Sequence, residues 1–301
     1  MRLAITGATG FVGARLLDLA LAQGHEVIAL TRRSQNERQG VTWVQGALDN
    51  RQALQRLTEG AEAVIHVAGV ISAANRAGFE AGNVAGTLVL LAAATSAGLR
   101  RFVHVSSLAA REPALSLYGG SKARAETVVE SSGLDWVIVR PPAVYGPGDR
   151  ETLDLFKAAR IGFVPLPPKG RISLIHVDDL AALLLALAAP DAPSQLTVEA
   201  DDGRSGGWTH REFAAALAAA QDRRALGLSL PAGLVRLGAR IDGWWRGDKA
   251  RLTADRAAYF CHPDWTIDPA RRPAADLWQP RIATPQGLEA TVDWYEKQGW
   301  L

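Results

Sequence analysis

The chain has 301 residues, 48% of them apolar and 21% charged, which supports a sizeable core and excludes wholesale disorder. A formal net charge of +2 gives no case for an electrostatic nucleic-acid binder. The single cysteine, Cys261, excludes an internal disulfide and a cysteine-built zinc site, and fits a reducing, cytoplasmic setting. The length suits one large α/β domain or two smaller ones.

The first residues lead straight into a short apolar run and a glycine turn, with no apolar core of an export signal. Through the first 140 residues two patterns alternate. β-rich runs fall at 3–6, 26–31, 41–45, 63–67, 102–106 and 136–140, with helical runs at 11–23, 50–58, 80–97 and 118–131 between them. This alternation predicts βαβ crossovers and a doubly wound, parallel α/β sheet. The strands are almost wholly apolar, as when both faces are covered. After Arg140 prolines break the pattern. A further strand is expected at 172–176, a helix from Asp178 or Asp179, and another strand at 195–199. The most lipid-like run, 180–189, is about half the length of a spanning helix and reads as a buried helix, so no membrane span is expected. Seven of the nine tryptophans lie beyond residue 200, where they staple a loop-rich lobe or line an apolar pocket.

Thr6-Gly7-Ala8-Thr9-Gly10-Phe11-Val12-Gly13 ends the first strand and opens the first helix. In that position each glycine has a task. Gly7 permits the tight turn, Gly10 lets backbone approach a pyrophosphate, and Gly13 lets the helix pack on the strand. The helix N-terminus offers free N–H groups to the phosphates. The second strand ends in Leu30-Thr31-Arg32-Arg33-Ser34, with two guanidinium groups where a carboxylate would bind the ribose hydroxyls of NAD. Arg32 and Arg33 match a 2′-phosphate in charge and fork geometry. NADP is therefore favoured over NAD, the competing reading being a solvated basic loop.

With these features the chain resembles the extended short-chain dehydrogenases/reductases of the NAD(P)-dependent epimerase/dehydratase superfamily. The landmarks run in order: the TGxxGxxG-type turn, Val67-Ala68-Gly69, Asn83-Val84-Ala85-Gly86-Thr87, Val105-Ser106-Ser107, Tyr118-Gly119-Gly120-Ser121-Lys122, and Arg140-Pro141-Pro142-Ala143-Val144-Tyr145-Gly146-Pro147. His176-Val177-Asp178-Asp179 extends the resemblance to about residue 180. It implies a Rossmann domain over 1–150, to which 171–200 return, and a mostly helical substrate lobe from 151–170 and 201–301. It also implies a dinucleotide held by Gly7, Thr9, Gly10, Phe11, Val12, Gly13, Leu48, Ala68, Gly69, Lys122, Pro141, Ala143 and Val144. One departure is that Gly46 is followed by Ala47, where the family often has an aspartate beside the adenine.

The resemblance assigns Ser107, Tyr118, Lys122 and Asn83 to catalysis. Tyr118 and Lys122 are four apart, one face of a helix, where an ammonium would lower the phenol pKa. Ser107 would bond the substrate oxygen. Asn83 either orients backbone or water near the lysine or merely caps and packs. His66 and His104 read as satisfied core histidines, and no metal-ligand spacing is present. Ser106-Ser107-Leu108 lacks the acid–base pair of sugar-nucleotide dehydratases, and Ala143 replaces the asparagine usual in epimerases. The 140–148 run is closest to hydroxysteroid dehydrogenases and dihydroflavonol-type reductases. The implied activity is NADP-dependent interconversion of a carbonyl and an alcohol on a bulky, largely apolar small molecule. A nucleotide-sugar epimerase and a non-catalytic NADPH-binding subunit in the style of the accessory complex I protein are the alternatives. The chain is expected as a monomer or a homodimer. Arginines 223, 224, 236, 240, 246 and 251 make either a solvated helix face or a docking surface for a partner or an anionic membrane.

Overall fold

The computed structural model describes residues 1–247 and 252–301. Two bodies share the chain. Met1–Pro141, Asp178–Glu199 and Ala270–Gln279 form the first; Pro142–Val177, Ala200–Pro269 and Pro280–Leu301 form the second.

In the first body the short apolar runs become β1 (Arg2–Thr6), β2 (Glu26–Thr31), β3 (Val41–Gln45), β4 (Ala63–His66), β5 (Arg101–Val105), β6 (Asp135–Val139) and, later in the chain, β11 (Leu196–Val198). They build one parallel seven-stranded sheet in the order β11-β6-β5-β4-β1-β2-β3. Ala4, Ile28, Val64, Phe102 and Ile138 face a core shared with α2 (Arg51–Thr58), α4 (Gly86–Ser96) and α5 (Leu117–Glu130). Their sequence neighbours Leu3, Ile5, Val27, Val103 and Val137 point the other way and are also buried, which is why the strands alternate so little. Helix α1 (Phe11–Ala22) is tied to α7 (Val177–Ala188) by a two-bond fork from Arg15 to Asp178 at 2.7 and 2.9 Å. Strand order reverses between β1 and β4, the place where open α/β sheets bind ligands beyond their strand ends.

The fourth crossover differs from expectation. The helix predicted at 80–97 begins earlier, as α3 (Arg76–Phe79), passes through a π-helical segment, Glu80–Ala85, and continues as α4. This stretch, Arg76–Ser96, and not 180–189, is the one that by length and composition is apolar enough to cross a bilayer, among the described residues. Its buried side chains Phe79, Asn83, Leu90, Leu91 and Ala94 lie in the body of the fold, the leucines and Ala94 in the sheet-facing core.

The second body holds small sheets and helices. β7 (Ala143–Tyr145) pairs with β10 (Leu174–His176), β8 (Phe163–Leu166) with β13 (Leu226–Ser229), and β9 (Arg171–Ile172) lies between β12 (Trp208–Thr209) and β14 (Asp264–Trp265). The run expected as one strand at 172–176 is broken at Ser173. That hydroxyl donates to Asp201 at 2.8 Å and accepts from the Ile267 amide at 3.2 Å, so the chain leaves one sheet and joins another. Helices α6 (Leu153–Arg160), α8 (His210–Ala219) and α11 (Thr284–Lys297) close over Tyr145, Phe156, Trp208, Phe213 and Tyr295. Helix α9 (Ala232–Arg246) and α10 (Ala254–Phe260) share a smaller cluster, Val235, Ala239 and Ala257. The tryptophans divide. Trp208 and Trp265 are buried, and Trp294 and Trp300 meet edge to face at 4.9 Å. Trp278 lies in the first body and donates to the Asp179 carbonyl at 3.1 Å, whereas Trp244 and Trp245 are 88% and 82% exposed.

Candidate active site

The glycine turn leaves β1 with Gly7 at φ +76°, and the Gly10 amide donates back to the Gly7 carbonyl at 2.9 Å. A Cβ at residue 13 would lie 2.0 Å from that carbonyl oxygen, so the first helix can approach the strand only with glycine there. Gly10 caps α1 without any side-chain bond to the first turn, and that turn carries no acidic residue. Its amides and positive dipole end are therefore open to an anion. Thr9 is exposed, and Phe11 and Val12 are half-buried beside it. The Thr6 hydroxyl meets His66 Nδ1 at 2.7 Å and accepts from the Ala68 amide at 3.1 Å, which joins the ends of β1 and β4. A backbone cradle closed to side chains, with an uncapped helix end behind it, fits a dinucleotide pyrophosphate.

Beyond β2 the loop is pinned by Thr31, whose hydroxyl donates to the Arg33 carbonyl at 2.7 Å. The Arg32 and Arg33 side chains are exposed and make no ion pair among the described residues. A groove of about 410 Å³ opens beside them, lined by Ala8, Thr9, Gln35, Asn36, Glu37, Arg38 and Trp43, among others. Leu48, half-buried, packs on the start of α4, its Cβ 2.8 Å from where a side chain at Gly86 would begin.

The hydroxyl and amine groups converge at the end of β5. Ser107 leaves the strand extended and caps a 3₁₀ turn, Leu108–Arg111, accepting from the Ala109 amide at 3.2 Å. Ser116 caps α5 the same way, at 2.9 Å to the Gly119 amide. Helix α5 comes so close to the 3₁₀ turn that a Cβ at residue 119 would stand 2.5 Å from the Ala109 carbonyl. This contact brings the Tyr118 phenol into hydrogen-bonding reach of the Ser107 hydroxyl. One turn on, Lys122 is buried, and its Nζ donates to the Val105 carbonyl at 2.7 Å. Gly69 lies beside both Lys122 and Asn83. Asn83, in the π-helical segment, uses its whole amide: it accepts from the Val70 amide at 2.7 Å and donates to the Val70 carbonyl at 2.9 Å and the Ser121 hydroxyl at 2.8 Å. It thus splints the loop after β4 to α5. Pro141 is buried at the end of β6 with its carbonyl accepting from Leu108, while Ala143 and Val144 stand in β7 of the second body.

The electrostatics differ from the sequence expectation. Lys122 does not lower the phenol pKa. Burial raises Tyr118 above its ordinary value, and the Ser107 hydrogen bond acts against that rise. The amine is shifted as well: burial lowers Lys122 from 10.5 to about 8, opposed by the nearby Glu126 carboxylate. The phenol is therefore protonated at neutral pH and available to donate, as a weaker acid than an exposed tyrosine. His66 is buried, lowered to about 3, and satisfied by Thr6 and by Thr87 at 2.9 Å. His104 breaks the expectation of a satisfied core histidine. It is buried, held neutral by burial and by Lys122, and neither ring nitrogen has a hydrogen-bond partner among the described residues.

Sequence reasoning missed a buried ionic cluster behind these groups. Glu126 receives a fork from Arg140 at 2.9 and 2.6 Å and a hydrogen bond from the Ser106 hydroxyl. Arg140 also meets Glu199 at 3.6 Å, and Glu199 meets Arg111 of the 3₁₀ turn at 3.5 Å. The signal was present, since Tyr118, Lys122 and Glu126 recur every four residues on one helical face. The cluster holds the Ser107 turn, β6 and α5 in one arrangement.

Comparison with known proteins places the chain. The family model for the NAD dependent epimerase/dehydratase family matches residues 3–198. The chain belongs to this family. As an epimerase/dehydratase-family member it has the extended short-chain dehydrogenase/reductase form and a nicotinamide dinucleotide site, and it is an oxidoreductase. It is 39% identical to a ceramide reductase of Caulobacter vibrioides, over 99% of this chain and 95% of that one. It is 30% identical to a 4-hydroxy-2-methyl-3-oxo-4-farnesyl-3,4-dihydroquinoline-1-oxide ketoreductase of Stigmatella aurantiaca, over 96% and 95% of the two chains. Among solved structures, MoeE5 in complex with UDP-glucose and NAD superposes with a TM-score of 0.77 over 99% of both chains at 21% identity, which establishes the shared fold.

Proposed function

We propose that this family member is an NADP-dependent reductase that converts a ketone on a bulky, largely apolar molecule to the alcohol, working in the cytoplasm. The observation that carries the reading is the Tyr118 phenol within reach of the Ser107 hydroxyl at the end of β5, with a buried amine one turn behind. The relatives support the substrate class: a ceramide reductase and a ketoreductase of a farnesyl-bearing compound both act on molecules with long apolar parts.

Gly7 and Gly10 would hold the pyrophosphate against the start of α1, which Gly13 lets approach the strand, with Thr9, Phe11 and Val12 around it. Arg32 and Arg33 would grip the 2′-phosphate, Leu48 would border the adenine, and Ala68 and Gly69 would line the path from there toward Lys122. Lys122 would hold the ribose next to the nicotinamide, and Pro141 would border that ring. The bound cofactor supplies the reducing equivalent. Ser107 donates a hydrogen bond to the carbonyl oxygen as negative charge gathers there. Tyr118, kept protonated by burial, passes its proton to that oxygen. Asn83 acts through position, by fixing the Val70 loop and Ser121.

The test is a substrate panel read by NADPH absorbance: long-chain ketones, steroid-like ketones, aromatic aldehydes and UDP- and dTDP-sugars. Turnover of an apolar ketone is expected, with Tyr118→Phe inactive and still binding NADPH. Conversion of a nucleotide sugar without net NADPH consumption would replace this reading by an epimerase, and full activity in Tyr118→Phe would remove the proton relay.

A further inference from the structure

Helix α9 is oriented against the usual rule for a surface helix. Val235 and Ala239 bury its narrow side against Ala257, Leu230 and Leu252. The wider apolar side faces solvent: Leu234, Leu237 and Ile241 are 55%, 50% and 52% exposed, and Trp244 and Trp245 more so. At about 100° per residue these five side chains fall on one stripe, roughly a third of the helix circumference. The β8–β13 ribbon, which runs into α9 through Leu230 and Pro231, repeats the pattern. Phe163 and Leu226 are paired in register, and both are exposed, as is Leu228.

The charges around this surface say what covers it. Between residues 222 and 246 there are five arginines against two aspartates. Arg236 and Arg240 flank the stripe along one edge, and Arg223 and Arg224 stand at the entrance to β13. All four are exposed and make no ion pair among the described residues. Arg246 pairs with Asp242 at 3.3 Å, and Asp242 also accepts from the Leu252 amide at 2.8 Å. Asp222 is exposed beside Arg223. Arg251 lies outside the described residues. A second copy docked through the same face would add a second set of unpaired arginines to the contact, with only Asp222 and the Arg246-paired Asp242 of each copy to offset them. An anionic bilayer meets every requirement. Phosphate headgroups pair with the free guanidinium groups, acyl chains take the leucines and isoleucine, and adjacent indoles sit at the boundary, with ring buried and N–H toward water.

We propose that α9 and the β8–β13 ribbon form a peripheral docking surface for anionic phospholipid membranes, with Trp244 and Trp245 as the inserted anchors and Arg236 and Arg240 as the headgroup contacts. The surface lies wholly in the second body and owes nothing to the choice of substrate at the first.

The test is co-sedimentation of the full-length protein with vesicles of phosphatidylcholine alone and with about one-third phosphatidylglycerol. The wild type is expected to pellet with the anionic vesicles only, and high salt should release it. Arg236→Gln with Arg240→Gln should weaken binding on the order of tenfold. Trp244→Ser with Trp245→Ser should abolish it while leaving NADPH binding and the unfolding midpoint intact, because both side chains are solvent-exposed. The proposal is overturned if the wild type stays in solution with anionic vesicles, if its binding ignores salt, or if the tryptophan pair variant pellets equally well. It is also overturned if the wild type binds no vesicles and elutes as a dimer that the tryptophan variant converts to monomer, since a second copy then covers the face.

Discussion

Replacing Lys122 by methionine separates the cost of the buried amine from its use. Burial lowers the Lys122 pKa from 10.5 to about 8 in the folded chain. Between those values the unfolded chain holds a proton that the folded one has released, so stability rises with pH across that window and is lowest, for this group, below about pH 8. At about 1.4 kcal/mol per pH unit the cost below pH 8 is about 3 kcal/mol. Lys122→Met removes that cost and forfeits the 2.7 Å bond to the Val105 carbonyl, worth about 1 kcal/mol. The variant is therefore expected to be more stable than wild type at pH 7, by about 2 kcal/mol, and slightly less stable above pH 10.5. Urea unfolding of both proteins at matched pH values measures the difference, in which the titrating groups not coupled to Lys122 cancel. A swing of about 3 kcal/mol is expected, together with loss of turnover at every pH. A difference that stays flat with pH would refute the charge-burial argument.

Gly13→Ala puts a methyl 2.0 Å from the Gly7 carbonyl, so α1 must shift; cofactor affinity should fall at least about tenfold in a fluorescence titration, with a lower unfolding midpoint. Arg32→Ala should weaken NADPH on the order of tenfold and leave NADH nearly unchanged, because only NADPH carries the 2′-phosphate; equal losses would return the preference to NAD. Glu126→Gln leaves Arg140 with Glu199 alone and should cost about 3 kcal/mol in unfolding. By removing the charge that holds the Lys122 proton, it should also move the alkaline fall of turnover to lower pH.

The sheet was legible because its signals are local. Apolar runs of four to six residues, turn chemistry and the Thr6–Gly13 spacing depend on neighbours in the chain, and the structure places strands β1 to β6 within a residue or so of the expected bounds. The Ser107, Tyr118 and Lys122 positions were legible by resemblance, through ordered motifs along one stretch. What escaped was set by partners distant in sequence. Ser173 breaks its strand because Asp201 and Ile267 meet it from elsewhere in the second body. The pKa shifts go against the spacing argument, the phenol up and the amine down, because folding buries both, the amine under a β5 carbonyl, a depth that no i, i+4 spacing encodes. Glu126, Arg140, Glu199 and Arg111 are scattered across nearly ninety positions, and folding alone makes them one cluster. The amino-acid order by itself determined a parallel dinucleotide-binding sheet and the residue types at its chemical end. Tertiary structure decided which of those groups hold their protons, and which apolar side chains of α9 were left facing water, because desolvation and exposure are properties of packing and not of the chain.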